Sequence, residues 1–433
     1  MRVVVNNVFL YNGGDAAITF GLLKVLAGAF GDPEVTIVDT EATGARRYYP
    51  ELDIRPMSYF SSKILGQFWR KLADLFGTWF HRVRFRHLKM LLSRDERKAF
   101  ELYQTADLVI TTGGTYLVEN YDLRPRLFEL DLALFANKPL FFFTQSLGPF
   151  SDPSNIKRLS RIFAASPLIL LRDEKSKSHL MDLGVSEHKI KVASDGAFAL
   201  ADPRVLVAAQ TRRNKIRRIA ISVRDWQHFR NKTSAEGMSI YKLAISRAVE
   251  YLANQHDAEI TFISSCQAVP EYWTDDSMLA REILASLPEA VRASVKVDAS
   301  YHSPLELIEI LKQFDLTIST RMHMAILSLC AGVPVLPIAY EFKTSELFSS
   351  FGLGEWVVSM DEVDEMSIVK LLPRFLDSVD GFRQDLFAAV LRSRDNALST
   401  GDVMRSNFED LRISRTQVSR AIEQEAHRSQ KTS

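Results

Sequence analysis

Short apolar runs alternate with longer segments of helical apolar spacing along almost the whole chain, and this alternation constrains the fold most. In the first half the apolar runs occupy residues 2–9, 35–38, 108–111, 140–144 and 168–171. Helical patterns at residues 16–30, 154–165 and 174–183 lie between or after them. Strands joined by helices form βαβ units, and such units build parallel sheets. The sequence therefore predicts an α/β protein.

A break in this pattern divides the chain in two. Residues 201–218 turn polar and basic, and we expect the domain boundary there. A second series of strands follows at residues 219–223, 259–264, 294–297, 315–319 and 333–338, again separated by helical patterns. Because 433 residues exceed what one compact core usually holds, two domains are expected.

The expected architecture is a pair of Rossmann-like domains with parallel sheets, facing a cleft. The N-terminal domain is predicted over residues 1–205 and the C-terminal domain over residues 216–375. Residues 376–433 are predicted to form C-terminal helices, and we expect the polar last dozen residues to fray.

Charge and cysteine content exclude several classes of function. A net charge of +1 argues against a nucleic-acid partner. Cys266 and Cys330 are too few for a disulfide framework or a cysteine-based zinc site, and they fit a reducing compartment. No uninterrupted apolar run approaches the length of a membrane span. We expect a cytoplasmic protein, with peripheral attachment to the inner face of the membrane left open.

One segment of the first domain departs from the alternating pattern. Residues 59–90 carry aromatic and aliphatic side chains at steps of three and four, together with seven Lys or Arg and one acid. An amphipathic helix of this composition is typical of a membrane interface. The alternative is a helical hairpin buried against the first domain with its cations in solvent. The sequence leaves both open.

An arginine and a histidine stand where a predicted strand of the second domain gives way to a helix, in Ser319-Thr320-Arg321-Met322-His323. In open α/β sheets, ligands bind at the carboxyl ends of the strands. Arg321 is a permanent cation suited to carboxylate or phosphate, and His323 can exchange a proton near neutral pH. Arg224 follows the first strand of the same domain, so two arginines are expected at one sheet edge. Lys343 is either a third cation or a solvated residue at a helix start.

Glycine-containing turns and polar residues follow three predicted strands of the first domain. Asp15 is expected to cap the first helix, or to lie with its neighbours against a substrate. The candidate substrate-binding residues are Gly13, Gly14, Asp15, Gly113, Gly114, Gln145 and Ser146. None of these turns is a P-loop or a complete dinucleotide-binding fingerprint.

The sequence lacks the familiar short motifs of metal sites and of catalytic nucleophiles. Histidines are scattered without the spacing of metal ligands, so a metal-independent mechanism is expected. Asp275 and Asp276 are predicted to be helical and exposed. Ser303 is predicted to cap a helix that opens with Pro304.

Taken in order, the motifs resemble those of the polysaccharide pyruvyl transferase family. The matches in the first half are Asn12-Gly13-Gly14-Asp15, Gly113-Gly114, Gln145-Ser146-Leu147-Gly148-Pro149, Leu171-Arg172-Asp173 and Ser194-Asp195. Those in the second half are Ser222-Val223-Arg224, His302, Asp315-Leu316, Arg321-Met322-His323, Gly332-Val333-Pro334, Tyr340 and Lys343. The family commonly has Leu where this chain has Met322.

The resemblance implies a fold like that of the GT-B glycosyltransferases. It also implies transfer of pyruvate from phosphoenolpyruvate to a sugar of a cell-surface polysaccharide or its lipid-linked precursor, forming a cyclic ketal. It places Arg224, Arg321 and His323 in the donor site. Phosphoenolpyruvate is then the donor substrate, and no cofactor is expected.

Two alternatives stay open from the residues alone. A GT-B-type glycosyltransferase would use the same cations to hold the diphosphate of a nucleotide sugar. A glycan- or membrane-binding scaffold would keep the fold without catalysis, although such a protein would be free to lose Arg224, Arg321 and His323.

Overall fold

A computed structural model describes residues 1–61, 94–213 and 215–431, which form two compact units. The first unit comprises Met1–Val8, Leu22–Gly196 and the chain from Asn396 onward. The second comprises Phe9–Gly21 and Ala197–Asp395. The predicted amphipathic segment lies outside the described residues except for residues 59–61.

The first unit is built on a parallel sheet of seven strands in the order β3-β2-β1-β4-β5-β6-β7. The strands are β1 (Arg2–Val8), β2 (Glu34–Asp39), β3 (Asp53–Pro56), β4 (Leu108–Thr111), β5 (Leu140–Gln145), β6 (Leu168–Leu171) and β7 (Ile190–Val192). Phe141, Phe142 and Phe143 on β5 are all completely buried. Helices on both faces of a parallel sheet bury successive side chains, so its inner strands are continuously apolar.

The helices of this unit are numbered in chain order through the described residues. They are α1 (Gly13–Phe30), α2 (Ala42–Tyr48), α3 (Ser58–Ser61), α4 (Arg94–Thr105), α5 (Arg124–Phe135), α6 (Pro153–Ala165) and α7 (Glu174–Asp182). Asp152 caps α6 by accepting from the backbone N–H of Ser154, and Pro153 occupies the first helical position. Helix α1 starts in the second unit and ends in the first.

The second unit repeats the topology on a parallel sheet of six strands, in the order β10-β9-β8-β11-β12-β13. Its strands are β8 (Arg218–Ser222), β9 (Glu259–Phe262), β10 (Val295–Val297), β11 (Leu316–Ser319), β12 (Val335–Ala339) and β13 (Val358–Ser359). Relabelled from its first strand, the order is 3-2-1-4-5-6, the doubly wound arrangement of dinucleotide-binding domains. The predicted α/β class with two parallel sheets is confirmed.

The remaining helices surround the second sheet or run to the end of the chain. They are α8 (Pro203–Thr211), α9 (Ser234–His256), α10 (Asp276–Ser286), α11 (Glu289–Arg292), α12 (Pro304–Leu311), α13 (Met322–Cys330), α14 (Phe342–Ser350) and α15 (Ser367–Lys431). Ser303 and Glu306 form a reciprocal capping box at α12, so the predicted cap is confirmed.

The structure differs from the sequence-based element assignment in several places. The edge strands β3, β7 and β13 were not expected, because two to four residues give little apolar pattern. Helix α8 lies inside the region assigned to the domain boundary, capped by Asp202, and the chain passes between units at Gly196 instead. Helix α15 continues to Lys431, beyond the point where fraying was expected.

Helix α1 (Gly13–Phe30) is long and apolar enough, by length and composition, to cross a membrane. Within the protein 61% of that helix is buried, which is the property of a helix in a protein core.

Candidate active site

Arg224 and Arg321 lie at the topological switch point of the second sheet. β8 and β11 are adjacent parallel strands, and Ser222 on β8 pairs with Ser319 on β11. Arg224 and Arg321 each follow the paired serine by two residues, so both emerge at the same carboxyl edge. The sheet order reverses between these two strands, where open α/β sheets bind their ligands.

Arg321 is held by a buried ion pair that the sequence did not indicate. Its Nε lies 2.8 Å from Asp276 Oδ2, and its Nη2 lies 2.6 Å from Asp276 Oδ1. Both residues are almost completely buried. Burial acts to lower the pKa of Arg321, but the attraction of Asp276 outweighs it and raises that pKa well above its usual value. The guanidinium is therefore charged and fixed in orientation.

Asp276 was expected to be helical and exposed; it is helical, but the predicted exposure is wrong. It is the first residue of α10 and only 3% exposed, because its carboxylate joins Arg321 to the end of β9. The hydroxyl of Ser264 donates to Asp276 Oδ2, and Ser222 Oγ lies 3.3 Å from Ser264 Oγ. The neighbouring Asp275 caps α10 through the N–H of Ser277. An anion at a helix N-terminus also meets the positive end of the helix dipole.

Arg224 is placed by aromatic rings rather than by a carboxylate. Its guanidinium carbon lies 4.1 Å from the ring centroid of Tyr340 and 5.2 Å from that of Trp226. The two rings lie 4.6 Å apart. Tyr340 follows β12 and is near enough to both arginines for their charges to act on its pKa, although burial dominates and raises it. Stacking fixes a guanidinium while leaving its N–H edge available to an anion.

His323 lies in the first turn of α13, against the N-terminus of α1. A Cβ added to Gly14 would fall 2.4 Å from His323 Nδ1 and 2.8 Å from its Cγ. Real Cβ atoms do not approach so closely, so only glycine lets the backbone pack onto this imidazole ring. The contact lies within the second unit, which includes Phe9–Gly21.

The loop before α1 contains the first group of predicted substrate-binding residues. Asn12, and not Asp15, caps the helix: its Oδ1 accepts from the N–H of Gly14 at 2.9 Å. Asp15 is half-buried inside the first turn, which corrects its predicted capping role. A Cβ on Gly13 would fall 2.0 Å from the carbonyl oxygen of Ser265, so this glycine permits a close backbone approach.

Cys266 is buried beside this loop. Its Sγ lies 3.7 Å from Asn12 Oδ1, and burial raises the pKa of its thiol. The charge of Arg321 acts in the opposite direction, which shows that the thiol lies near the ion pair.

The other predicted substrate-binding residues belong to the first unit. Gly114 has φ of +119°, a conformation that favours glycine, and its carbonyl accepts from the N–H of Ser146. Gln145 Nε2 donates to the carbonyl of Thr112 and to the hydroxyl of Tyr116, both at 2.6 Å. Within the described chain Gln145 Oε1 is buried without a hydrogen-bond partner. Gly113 is buried at the same strand end.

The hydroxyl of Ser146 belongs to a network of polar side chains within the first unit. Its hydroxyl donates to Asp173 Oδ2 at 2.7 Å and accepts from Arg172 Nε at 2.8 Å. Arg172 in turn forms a buried ion pair with Asp195. This network joins the ends of β5 and β6, which was not visible from the sequence.

The remaining candidates lie at, or just before, the starts of two helices of the second unit. Lys343 is half-buried in the first turn of α14, three residues after Tyr340. His302 Nε2 lies 2.8 Å from Asp298 Oδ2 before the start of α12. In the part of the chain that is described, no group of three or more His, Cys, Asp or Glu is arranged to hold a metal ion.

Comparison with known proteins decides the family. The model of the polysaccharide pyruvyl transferase family matches residues 12–341, about three quarters of the chain. The chain belongs to this family. The predicted family is therefore confirmed, and it assigns the chain to transferases that modify polysaccharides.

A curated relative agrees with this pyruvyl transferase assignment. The amylovoran biosynthesis protein AmsJ of Erwinia amylovora is 26% identical over 425 residues, which cover 93% of this chain and 99% of AmsJ. The relative's name places that protein in the synthesis of a polysaccharide.

Solved structures share the fold of this transferase at low identity. UDP-GlcNAc 2-epimerase from Neisseria meningitidis bound to UDP-GlcNAc is 11% identical with a TM-score of 0.57, covering 95% of this chain and 100% of the epimerase. HepE from Anabaena in complex with UDP-glucose is 12% identical with a TM-score of 0.56, covering 95% and 99%. At such identities the likeness establishes the GT-B type of fold alone.

Proposed function

We propose that this protein transfers pyruvate from phosphoenolpyruvate to two hydroxyls of a sugar, forming a cyclic ketal. The observation that supports this most is the placement of Arg224, Arg321 and His323 around one switch point in a member of the pyruvyl transferase family. Phosphoenolpyruvate carries a carboxylate and a phosphate close together, so two oriented guanidinium groups match its anionic groups.

The two arginines have different parts in this proposal. Asp276 already neutralises Arg321 and occupies its Nε and Nη2, so Arg321 offers the donor a rigid hydrogen-bonding edge. Arg224 is only half-buried, and no acidic side chain pairs with it among the described residues. Arg224 therefore supplies most of the net positive charge that attracts the donor.

The reaction needs an acid, because C2 of phosphoenolpyruvate becomes electrophilic when C3 accepts a proton. His323, as imidazolium, donates that proton, and the CH₂ group becomes the methyl group of the ketal. One sugar hydroxyl attacks C2, the C2–O bond to phosphate breaks, and the second hydroxyl closes the ring. Of the two hydroxyl protons, one leaves with phosphate and the other restores His323. The arginines offset charge on the carboxylate and the departing phosphate.

Three further features of the proposal come from the sequence and stay predictions. The proposed substrate-binding residues are Lys343, Asp15, Gly13, Gly14, Gly113, Gly114, Gln145 and Ser146. The acceptor is a sugar of a cell-surface polysaccharide or of its lipid-linked precursor. The transfer is metal-independent, which turnover after dialysis against EDTA would check.

The first test is thermal unfolding with phosphoenolpyruvate and, separately, with UDP-glucose. A ligand at 100 times its Kd stabilises a protein by about 2.7 kcal/mol, which a melting curve resolves. We expect stabilisation by phosphoenolpyruvate that Arg224→Ala abolishes without unfolding the protein, since Arg224 is half-buried and stacked. Stabilisation by UDP-glucose alone, with no phosphate released from phosphoenolpyruvate, would favour the glycosyltransferase alternative instead.

Replacement of the proposed acid separates chemistry from binding. His323→Ala should keep the stabilisation by phosphoenolpyruvate and lower turnover by about 10²–10⁴-fold. The measurement is phosphate release in the presence of a competent acceptor. Turnover near the wild-type value would show that His323 is not the acid.

A further inference from the structure

An aromatic cluster with an exposed tryptophan stands beside the site in the second unit. Trp273 is 88% exposed, the most exposed of the large apolar side chains in the described residues. Its ring contacts Tyr272 at 5.5 Å between centroids, and Tyr272 contacts Phe9 at 5.2 Å, both edge-on. Trp273 therefore presents most of its apolar ring to solvent, while its edge-on contact with Tyr272 joins it to a packed aromatic pair.

Tyr272 connects this aromatic cluster to the residues of the candidate active site. Burial raises the pKa of Tyr272 to about 12, and Cys266, Arg321 and Asp15 all lie near enough for their charges to act on it. The segment 264–275 leaves the carboxyl end of β9, the strand next to β8. Trp273 is therefore the next residue after Tyr272 on a segment that leaves the same sheet edge as the two arginines.

We infer that Trp273 is a stacking surface for a pyranose ring of the saccharide acceptor. The apolar C–H face of a pyranose packs on an aromatic ring, while its hydroxyls stay at the rim for polar groups such as Asp15. The inference rests on the proposed function, because it places the acceptor next to the donor residues. A second protein copy fits less well, since one ring offers far less area than the ~1,000 Å² that a stable interface needs.

The test uses saturation-transfer NMR of the full-length protein with methyl β-D-glucopyranoside and methyl β-D-galactopyranoside as probes. Wild type and Trp273→Phe should transfer saturation to the ring C–H protons of at least one glycoside, and Trp273→Ala should lose the signal about five-fold or more. Met278→Ala is the matched control, because Met278 is 57% exposed on the adjoining helix α10. A wild-type signal from Trp273→Ala, or no signal from wild type, would overturn the inference.

Stabilisation by phosphoenolpyruvate, measured on the same variants, separates this inference from the proposed function. Trp273→Ala should keep that stabilisation, since Trp273 touches only the acceptor. If wild type binds the glycosides through Trp273 but not phosphoenolpyruvate, the proposed donor is wrong and the saccharide surface stands. If Trp273→Ala converts a wild-type dimer to a monomer by light scattering, Trp273 belongs to a protein interface and the inference fails.

Discussion

At the scale of single residues, the site depends on contacts that hold charged groups in fixed orientations. Asp276 fixes Arg321 through two short hydrogen bonds, and Tyr340 fixes Arg224 through its ring face. Gly14 lets the backbone of α1 pack on His323. Positioning of this kind lowers the reorganisation needed when charge develops during a reaction.

Asp276→Asn should destabilise the protein by about 3 kcal/mol, because it leaves the buried Arg321 without a counter-charge. Asp275→Asn is the matched control, since asparagine caps a helix about as well as aspartate and should change little. Urea unfolding of both variants measures the difference. Equal unfolding free energies for the two would contradict a stabilising role of the Arg321 ion pair.

Gly14→Ala should lower turnover by about 10²-fold while the protein stays folded, because the added Cβ displaces the His323 ring. Gly28→Ala on the same helix is the control. A Cβ there meets nothing within 4 Å, so helix propensity should raise stability by up to about 1 kcal/mol. Phosphate release and thermal unfolding report the two effects. Unchanged turnover in Gly14→Ala would show that turnover does not depend on the contact between Gly14 and His323.

At the scale of secondary-structure elements, a buried carboxyl joins three helices of the first unit. Glu129 on α5 accepts from the hydroxyl of Tyr103 on α4 at 2.5 Å and from the N–H of Tyr59 on α3 at 3.1 Å. Asn6 on β1 donates to the Tyr103 hydroxyl at 3.3 Å. Burial raises the pKa of Glu129 to about 7, although the hydrogen bonds from Tyr103 and Tyr59 act to lower it.

The raised pKa of Glu129 makes stability depend on pH. Between its unfolded value of 4.5 and its folded value of about 7, the folded protein keeps a proton that the unfolded chain has lost. Stability is therefore greatest below pH 4.5 as far as this group is concerned, and falls by about 3 kcal/mol as pH rises to about 7. Glu129→Gln should remove this slope in urea unfolding measured from pH 5 to pH 8. Identical slopes for the variant and wild type would show that Glu129 does not cause the pH dependence of stability.

At the scale of the whole molecule, neither unit is formed from one continuous stretch of chain. Residues from Asn396 onward return to the first unit, where Phe408 contacts Phe30 at 5.9 Å and Asn396 Oδ1 accepts from the N–H of Ser194. A Cβ on Gly401 would lie 3.1 Å from the Cβ of Ala29, so α15 packs closely on α1. From Asn396 onward the final helix is thus part of the first unit's fold rather than an appended tail.

Attachment to a membrane and burial against the first domain are the two alternatives that the sequence leaves open for residues 59–90. If the segment lies at a membrane, the protein should sediment with anionic liposomes at low salt, because apolar burial and attraction of Lys and Arg to the lipid headgroups act together. Replacing Trp69, Phe76 and Trp79 by Ser should abolish this. Failure of wild type to bind anionic vesicles would exclude the membrane proposal and favour a soluble acceptor.

The sequence by itself determined the α/β class, most strand positions and the pyruvyl transferase family. Those properties depend on local apolar period and on short motifs such as Arg321-Met322-His323, which are contiguous in the chain. The capping box at Ser303 was predictable for the same reason.

Only the tertiary structure decided which residues complete the site. The local sequence predicts that Asp276 is one of two exposed helical acids. Asp276 is buried because the packing of α10 brings its carboxylate into an ion pair with Arg321. The contact of Gly14 with His323 and the stack of Tyr340 on Arg224 also join residues far apart in sequence. Residue type and periodicity describe a single segment, whereas ion pairs and packing depend on which segments the topology brings together.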